Sequence, residues 1–152
     1  MCLDSGRPWS DLVDLAVHAE SIGVSRLYVC DHFMPYRADE RPASGPMLEA
    51  WSVLTALAMA TTTVELAPLV LGMTYRHPCV VANMAATLDH VSAGRLVLGL
   101  GAGWQVNEHV AYGIPLREVG ARLSQFAEAC AIIRGMLRGE SPTFDGRYFR
   151  TV

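Results

Sequence analysis

No lysine occurs anywhere in the 152 residues; all twelve basic side chains are arginine. A Schiff-base or pyridoxal-phosphate enzyme and a P-loop nucleotidase each depend on a lysine amine, so both are excluded for this chain. Long apolar runs are missing too. The two most apolar stretches, residues 53–60 and 66–73, have eight residues each, against the roughly 18 that a membrane span needs. Paired cysteines are absent: Cys2, Cys30, Cys79 and Cys130 lie 28, 49 and 51 residues apart, so no CxxC exists to hold zinc or exchange disulfides. They read as reduced, mostly buried apolar residues. Asp4 and Arg7 interrupt the start, and no apolar h-region follows, so a cytoplasmic protein is expected. A net charge of -3 with scattered arginines lacks a nucleic-acid footprint.

What is present is an ample core. With 51% hydrophobic and 18% charged residues, the composition is that of one compact folded domain. Ser10 is placed to cap a helix through Leu12, Leu15, Ala16, Ala19 and Ile22, which Gly23 ends. Strands are expected at residues 27–30, 64–71 and 96–100. Helices fill the gaps, one from about Leu48 to Ala60 and one opened by Pro78. A short polar segment follows the third strand. Val119, Leu123, Phe126, Cys130, Ile133 and Leu137 then mark an amphipathic helix, and Asp145-Gly146 signals a two-residue hairpin. Strand starts 37 and 32 residues apart, each gap holding a helix, are the rhythm of βα units on a parallel sheet. A (β/α)8 barrel averages about 31 residues per unit, which fits the spacing; the short chain favours a doubly wound open sheet instead.

Side chains with chemical potential cluster just after these strands, where both architectures place their sites. Asp31-His32 follows the first strand and Tyr75-Arg76-His77 the second. A glycine-rich run from Gly99 to Gly103, then Trp104, ends the third, trailed by Asn107-Glu108-His109. Asp31-His32 can serve as an acid/base pair, or as a helix cap or surface pair if its position is ignored. The glycines are not a dinucleotide loop, because G-x-G-x-x-G would need glycine where Trp104 stands. They leave either a bare backbone for a flat ligand or a tight barrel turn. Asp89-His90 lies at the opposite end of the sheet and reads as structural. Asp31, His32, His77, Glu108 and His109 lack the paired H-x-H spacing of hydrolytic barrels, so no metal site is expected.

In order along the chain, these motifs resemble the luciferase-like monooxygenase superfamily, and within it the oxidoreductases that use the deazaflavin coenzyme F420. The likeness is carried by Asp31-His32-Phe33, Glu49-Ala50-Trp51 and Tyr75-Arg76-His77-Pro78. It continues through residues 86–95 and 98–104, Glu108-His109 with Tyr112-Gly113, and Phe144 to Tyr148. The resemblance implies an α/β chain of the (β/α)8 TIM-barrel family. Residues 1–152 would form one partial domain covering about half the barrel, from strands 1/2 to helix 4 plus the terminal hairpin. It also implies hydride transfer between coenzyme F420 and a small organic substrate, with FMN in a luciferase-like monooxygenase as the alternative and a non-catalytic half-barrel as a third reading. Asp31 and His32 would be catalytic, His32 exchanging the proton. Leu69, Val70, Leu71 and Gly72 would back or line the ring, with a cis peptide near Leu69-Val70. Ala102, Gly103 and Trp104 would flank it, and Glu108 would anchor that loop. Self-association, as a homodimer or through exposed sheet edges, is expected; nucleic-acid and membrane partners are not.

Two departures stand out. Pro68 removes a ladder donor inside a strand that a closed barrel pairs on both sides. The family's phosphate grip also comes largely from the second half of the barrel, which this chain does not reach.

Overall fold

The computed structural model describes residues 1–141 and 143–152. Strands β1 (Cys2–Leu3), β2 (Arg26–Val29) and β3 (Glu65–Pro68) pair in parallel in that order. Strand β4 (Leu71–Gly72) pairs in parallel with β5 (Leu100–Gly101), and a bridge from Leu66 to Leu96 joins the two sheets. Helices α1 (Trp9–Ser21), α2 (Ala50–Ala60) and α3 (Pro78–Val91) fill the crossovers. A doubly wound sheet reverses its strand order at a switch point. Here the order β1, β2, β3/β4, β5 runs without reversal, which is the arc of a (β/α)8 barrel and covers about half of it. The core lies between this arc and its helices: Leu12 and Ala16 from α1, Leu54 and Leu57 from α2 and Leu88 from α3 close over Leu27, Val29 and Leu66. No described helix is long and apolar enough to cross a membrane.

The expected strand at 64–71 is two strands, and the register says why. The Leu66 N–H donates to the Arg95 carbonyl and the Leu71 N–H to the Gly99 carbonyl. Five residue steps on one strand therefore match four on the other, which is a β-bulge with one extra residue. The Leu69-Val70 peptide within it is cis. Pro68 falls where this costs least. Leu66 donates toward β5 and Leu69 donates to Val29 on β2, so by alternation the proline nitrogen faces the β5 side, where the ladder is already interrupted.

Other boundaries moved for local reasons. Pro8, not Ser10, occupies the cap position of α1, and Ser10 bonds instead to the Asp11 carboxylate. Helix α2 is capped by Glu49, whose carboxylate accepts from the N–H groups of Trp51 and Ser52. The polar segment after β5 is helix α4 (Val106–Tyr112), followed by α5 (Val119–Leu137). The face of α5 that is buried carries Ala129, Ile132 and Ile133, while Val119, Leu123 and Leu137 of the expected stripe stay exposed. The terminal hairpin of β6 (Phe144–Asp145) and β7 (Arg150–Thr151) closes with four residues, not two, because Glu128 collects the N–H groups of Arg147, Tyr148 and Phe149. Of the cysteines, Cys2 is exposed and the other three half-buried. The Cys30 thiol, 3.8 Å from that of Cys2, is pushed up to about 11 by burial and then by its neighbour.

Two side chains fasten the helix ends to the strands. Arg95 spends its guanidinium on the carbonyls of Ala58, Thr61, Val64 and Ser92 and on the Thr61 hydroxyl, at 2.7–3.1 Å. A lysine has no planar fork to reach all of them. Arg95→Lys is therefore expected to destabilise the fold by about 2–3 kcal/mol, read as a lower urea midpoint with unchanged slope.

Glu20 accepts from the N–H groups of Thr62, Thr63 and Val64 at the entry to β3. Burial pushes its carboxyl up, but these bonds more than offset that and lower it from 4.5 to about 2. A carboxyl depressed by folding stabilises above its unfolded value and loses that contribution as pH falls through the folded one. Stability should thus decline between pH 4.5 and 2, and Glu20→Gln should flatten this part of the thermal-midpoint curve.

Candidate active site

Four chain segments meet at the carboxyl ends of the strands. The turn after β2 delivers Asp31, His32 and Phe33; the bulge delivers Leu69 and Val70; the turn after β4 delivers Thr74, Tyr75 and Arg76; β5 runs out into Ala102, Gly103 and Trp104. They enclose a cavity of about 200 Å³ lined by Asp31, His32, Leu69, Val70, Gly72, Tyr75 and residues 101–104. A methyl on Gly101 would come within 2.5 Å of Val70 Cγ2, and Gly103 turns at φ +83° against the Thr74 side chain. Bare backbone is what keeps this gap open.

Beneath the cavity sits a buried carboxylate. Helix α4 carries Asn107, Glu108 and His109 inward, all buried. Glu108 Oε1 lies 2.7 Å from His32 Nδ1 and also accepts from the Tyr75 hydroxyl; Oε2 accepts from the Phe33 N–H at 2.8 Å. Burial by itself would push the Glu108 carboxyl up, but the bonds from His32, Tyr75 and Phe33 outweigh it and hold it below the ordinary carboxylate range. Burial and then Glu108 push the Tyr75 phenol up, so it keeps its proton and donates. An ionised carboxylate only accepts, so His32 Nδ1 carries a hydrogen. The opposite nitrogen, Nε2, is left without a hydrogen-bond partner among the described residues, on a ring that lines the cavity.

A parallel arrangement holds the second histidine away from chemistry. His109 Nδ1 donates to the Gln105 carbonyl at 2.7 Å, which leaves Nε2 to accept from the Thr74 hydroxyl at 2.8 Å. Its ring stacks on Tyr75 with centroids 4.8 Å apart. Both nitrogens are occupied.

Asp31 is equally occupied. Arg76 donates to both its oxygens, at 2.7 and 2.9 Å, and the Gly72 N–H adds a third bond at 2.8 Å. The same guanidinium reaches Glu49 Oε1 at 2.7 Å, tying the α2 cap to the site. Asp31, expected to be catalytic, thus has both oxygens committed to a salt bridge and a backbone amide. Leu71 is a correction of another kind: expected to line the ring, it is wholly buried in the core, because the bulge's extra residue shifts the strand's inward and outward alternation. Glu108 stands behind His32 and does not line the cavity. The other expected residues, Leu69, Val70, Gly72, Ala102, Gly103 and Trp104, border it with His32.

Tyr75 and Arg76 were legible only as a motif. Their place just after the second strand and directly before His77-Pro78, the start of α3, was the available signal. His77 itself caps α3 through the Cys79 N–H. A larger groove, about 440 Å³ and lined by Asp89, His90, Leu96, Leu98 and Leu137 among others, lies apart from this cluster beside β5.

The family model for luciferase-like monooxygenases matches residues 2–152. The chain belongs to that family. Among curated members, an F420-dependent glucose-6-phosphate dehydrogenase of Nakamurella multipartita is 40% identical over 145 residues, spanning 93% of this chain and 41% of the relative. A solved F420-dependent secondary alcohol dehydrogenase, in complex with an F420-acetone adduct, superposes with a TM-score of 0.82 at 29% identity, over 98% of this chain and 44% of that one. The coenzyme F420 dependent tetrahydromethanopterin reductase of Methanopyrus kandleri gives 0.81 at 25%, over 100% and 43%. This luciferase-like chain therefore spans less than half the length of the relatives it matches. Within the family fold, what it contains is the arc carrying His32, the bulge and the glycine-rich turn.

Proposed function

We propose that this chain supplies the ring-binding half of an oxidoreductase that moves a hydride between coenzyme F420 and a small organic substrate, with His32 exchanging the accompanying proton. The observation that carries this is the His32–Glu108 pair opening onto a cavity walled by Leu69, Val70 and a glycine ledge. Leu69 and Val70 are 46% and 42% exposed although they follow a buried strand. Two aliphatic side chains facing a bare backbone suit a flat, largely apolar ring. Leu69, Val70 and Gly72 would back that ring, and Ala102, Gly103 and Trp104 would flank it. When bound, the deazaflavin supplies hydride donor and acceptor chemistry.

The protein's own groups have separable tasks. Glu108, ionised and buried, fixes the His32 tautomer and orientation, so that Nε2 faces the reacting centre. Asp31 is a positioning group: clamped by Arg76, it fixes the turn that carries His32 and receives the Gly72 N–H beneath the ring site. The names of the curated relatives support F420 over FMN; the breadth of the family keeps FMN as the second candidate.

Titration of the protein with F420, followed by the cofactor's own fluorescence, should show saturable quenching that FMN does not displace. Binding of FMN with none of F420 would replace the deazaflavin reading by the flavin one. Binding of neither would leave the non-catalytic half-barrel.

A further inference from the structure

The four cysteines are scattered along the sequence, yet the fold brings two of them together. Register pairs Cys2 with Tyr28. Leu27 and Val29 are buried in the core, so Tyr28 and Cys30 point to the opposite face of the sheet, and Cys2 points with them. The thiols of Cys2 and Cys30 consequently lie 3.8 Å apart on neighbouring strands. A disulfide is about 2.05 Å long, so roughly 1.8 Å remains to be closed, within reach of side-chain rotation. Cys79 and Cys130 lie elsewhere, on α3 and α5.

The two thiols are not equivalent. Cys2 is exposed and Cys30 half-buried. Burial, then Cys2 and Asp4, push the Cys30 thiol up to about 11, so it stays protonated near neutral pH and reacts slowly on its own. Cys30 also directly precedes Asp31, whose carboxylate is held by Arg76 and the Gly72 N–H. Closure therefore draws the two-residue strand β1 towards β2 and leaves the Asp31-His32 turn in place.

We propose that Cys2 and Cys30 form a modification site, a disulfide closed by hydroperoxides and reopened by thiols, with Cys2 as the attacked thiol and Cys30 as its resolving partner. A hydroperoxide first oxidises the Cys2 thiolate to a sulfenic acid: an S–O bond forms, the O–O bond breaks, and the other oxygen leaves as water or an alcohol. The Cys30 sulfur then attacks Cys2. The S–S bond forms, the S–O bond breaks, and the hydroxyl departs as water with the Cys30 proton. Two thiols give up two electrons and two protons, and the peroxide takes both. Sulfenic acid left unresolved climbs to sulfinic and sulfonic acids, which thiols do not reverse. The pair thus halts oxidation at a reversible stage, one residue from the turn that carries His32. Neither step involves the F420 site proposed above.

The test uses the full chain, reduced and then treated with hydrogen peroxide, with Cys79 and Cys130 as internal references. Peptide mapping should find a Cys2–Cys30 linkage within one chain, lighter by two hydrogens and reopened by dithiothreitol. Cys79 and Cys130 should remain free thiols at the dose that converts the pair. In Cys30→Ser the linkage is lost, and Cys2 should accumulate sulfinic acid at least about 10-fold faster than in the wild type, since a neighbouring thiol acts at high effective concentration. Four outcomes would overturn the proposal: sulfinic acid at Cys2 of the wild type with no linkage, a bond joining two chains in its place, an unreacted pair once Cys79 or Cys130 is oxidised, or equal over-oxidation of Cys2 with and without Cys30. The wild-type map reads the linkage by itself and decides the case even if Cys30→Ser does not fold.

Discussion

Alanine at His32 should cut turnover with F420 by about 10²- to 10⁴-fold, the usual worth of a positioned acid/base group, while F420 affinity changes less than about threefold. The ring borders the cavity but its removal takes away no wall that the proposed ring site needs, so kcat falls and binding remains. Added imidazole should restore part of the rate in His32→Ala. Glu108→Gln provides the complementary case. Its amide can present oxygen to His32 and Tyr75 only by turning its NH2 toward the Phe33 N–H, which Oε2 now accepts at 2.8 Å. Either orientation sets donor against donor, so turnover should drop with His32 still present, and imidazole should give no rescue. Full activity in His32→Ala would remove it from the reaction and leave the pair as structure.

Arg76→Met is expected to be the most destabilising single change in the site, by about 3–5 kcal/mol. Asp31 is fully buried at its side chain and Arg76 nearly so, so methionine strands an ionised carboxylate in the interior with only the Gly72 N–H to answer it. Chemical denaturation would read this as a large fall in midpoint. Asp31→Asn on the same background should recover a good part of the loss, because a neutral amide needs no counter-ion. A double variant no better than Arg76→Met would place the cost in the link from Arg76 to Glu49 at the head of α2.

The strand rhythm and the turn signals placed Asp31, His32 and the glycine-rich turn correctly at one end of the sheet, since period and spacing are properties the chain displays directly. Helix α4 was hidden for the opposite reason. Its sequence is polar, and hydropathy assigns polar residues to the surface; Gln105, Asn107, Glu108 and His109 are buried because each finds a specific partner, and no single-sequence pattern reports partners. The same holds for Asp31, whose pairing with Arg76 spans 45 positions. The apolar stripe on α5 was right only in its middle: Ile133 is buried and Phe126 packs on the core, while Val119, Leu123 and Leu137 towards the two ends of the helix are exposed in this chain.

The bulge also determines where this fold can be cut and rejoined. Because the six residues from Leu66 to Leu71 are matched to the five from Arg95 to Gly99, the two strands carry one offset between them and neither carries it alone. Recombining homologous barrels inside that span, with one parent's bulge against another's regular strand, would move the alternation by one place and turn Val70 inward and Leu71 toward the cavity. Residues 64–101 therefore form one exchangeable block, and the joints that preserve the cavity wall lie on either side of it.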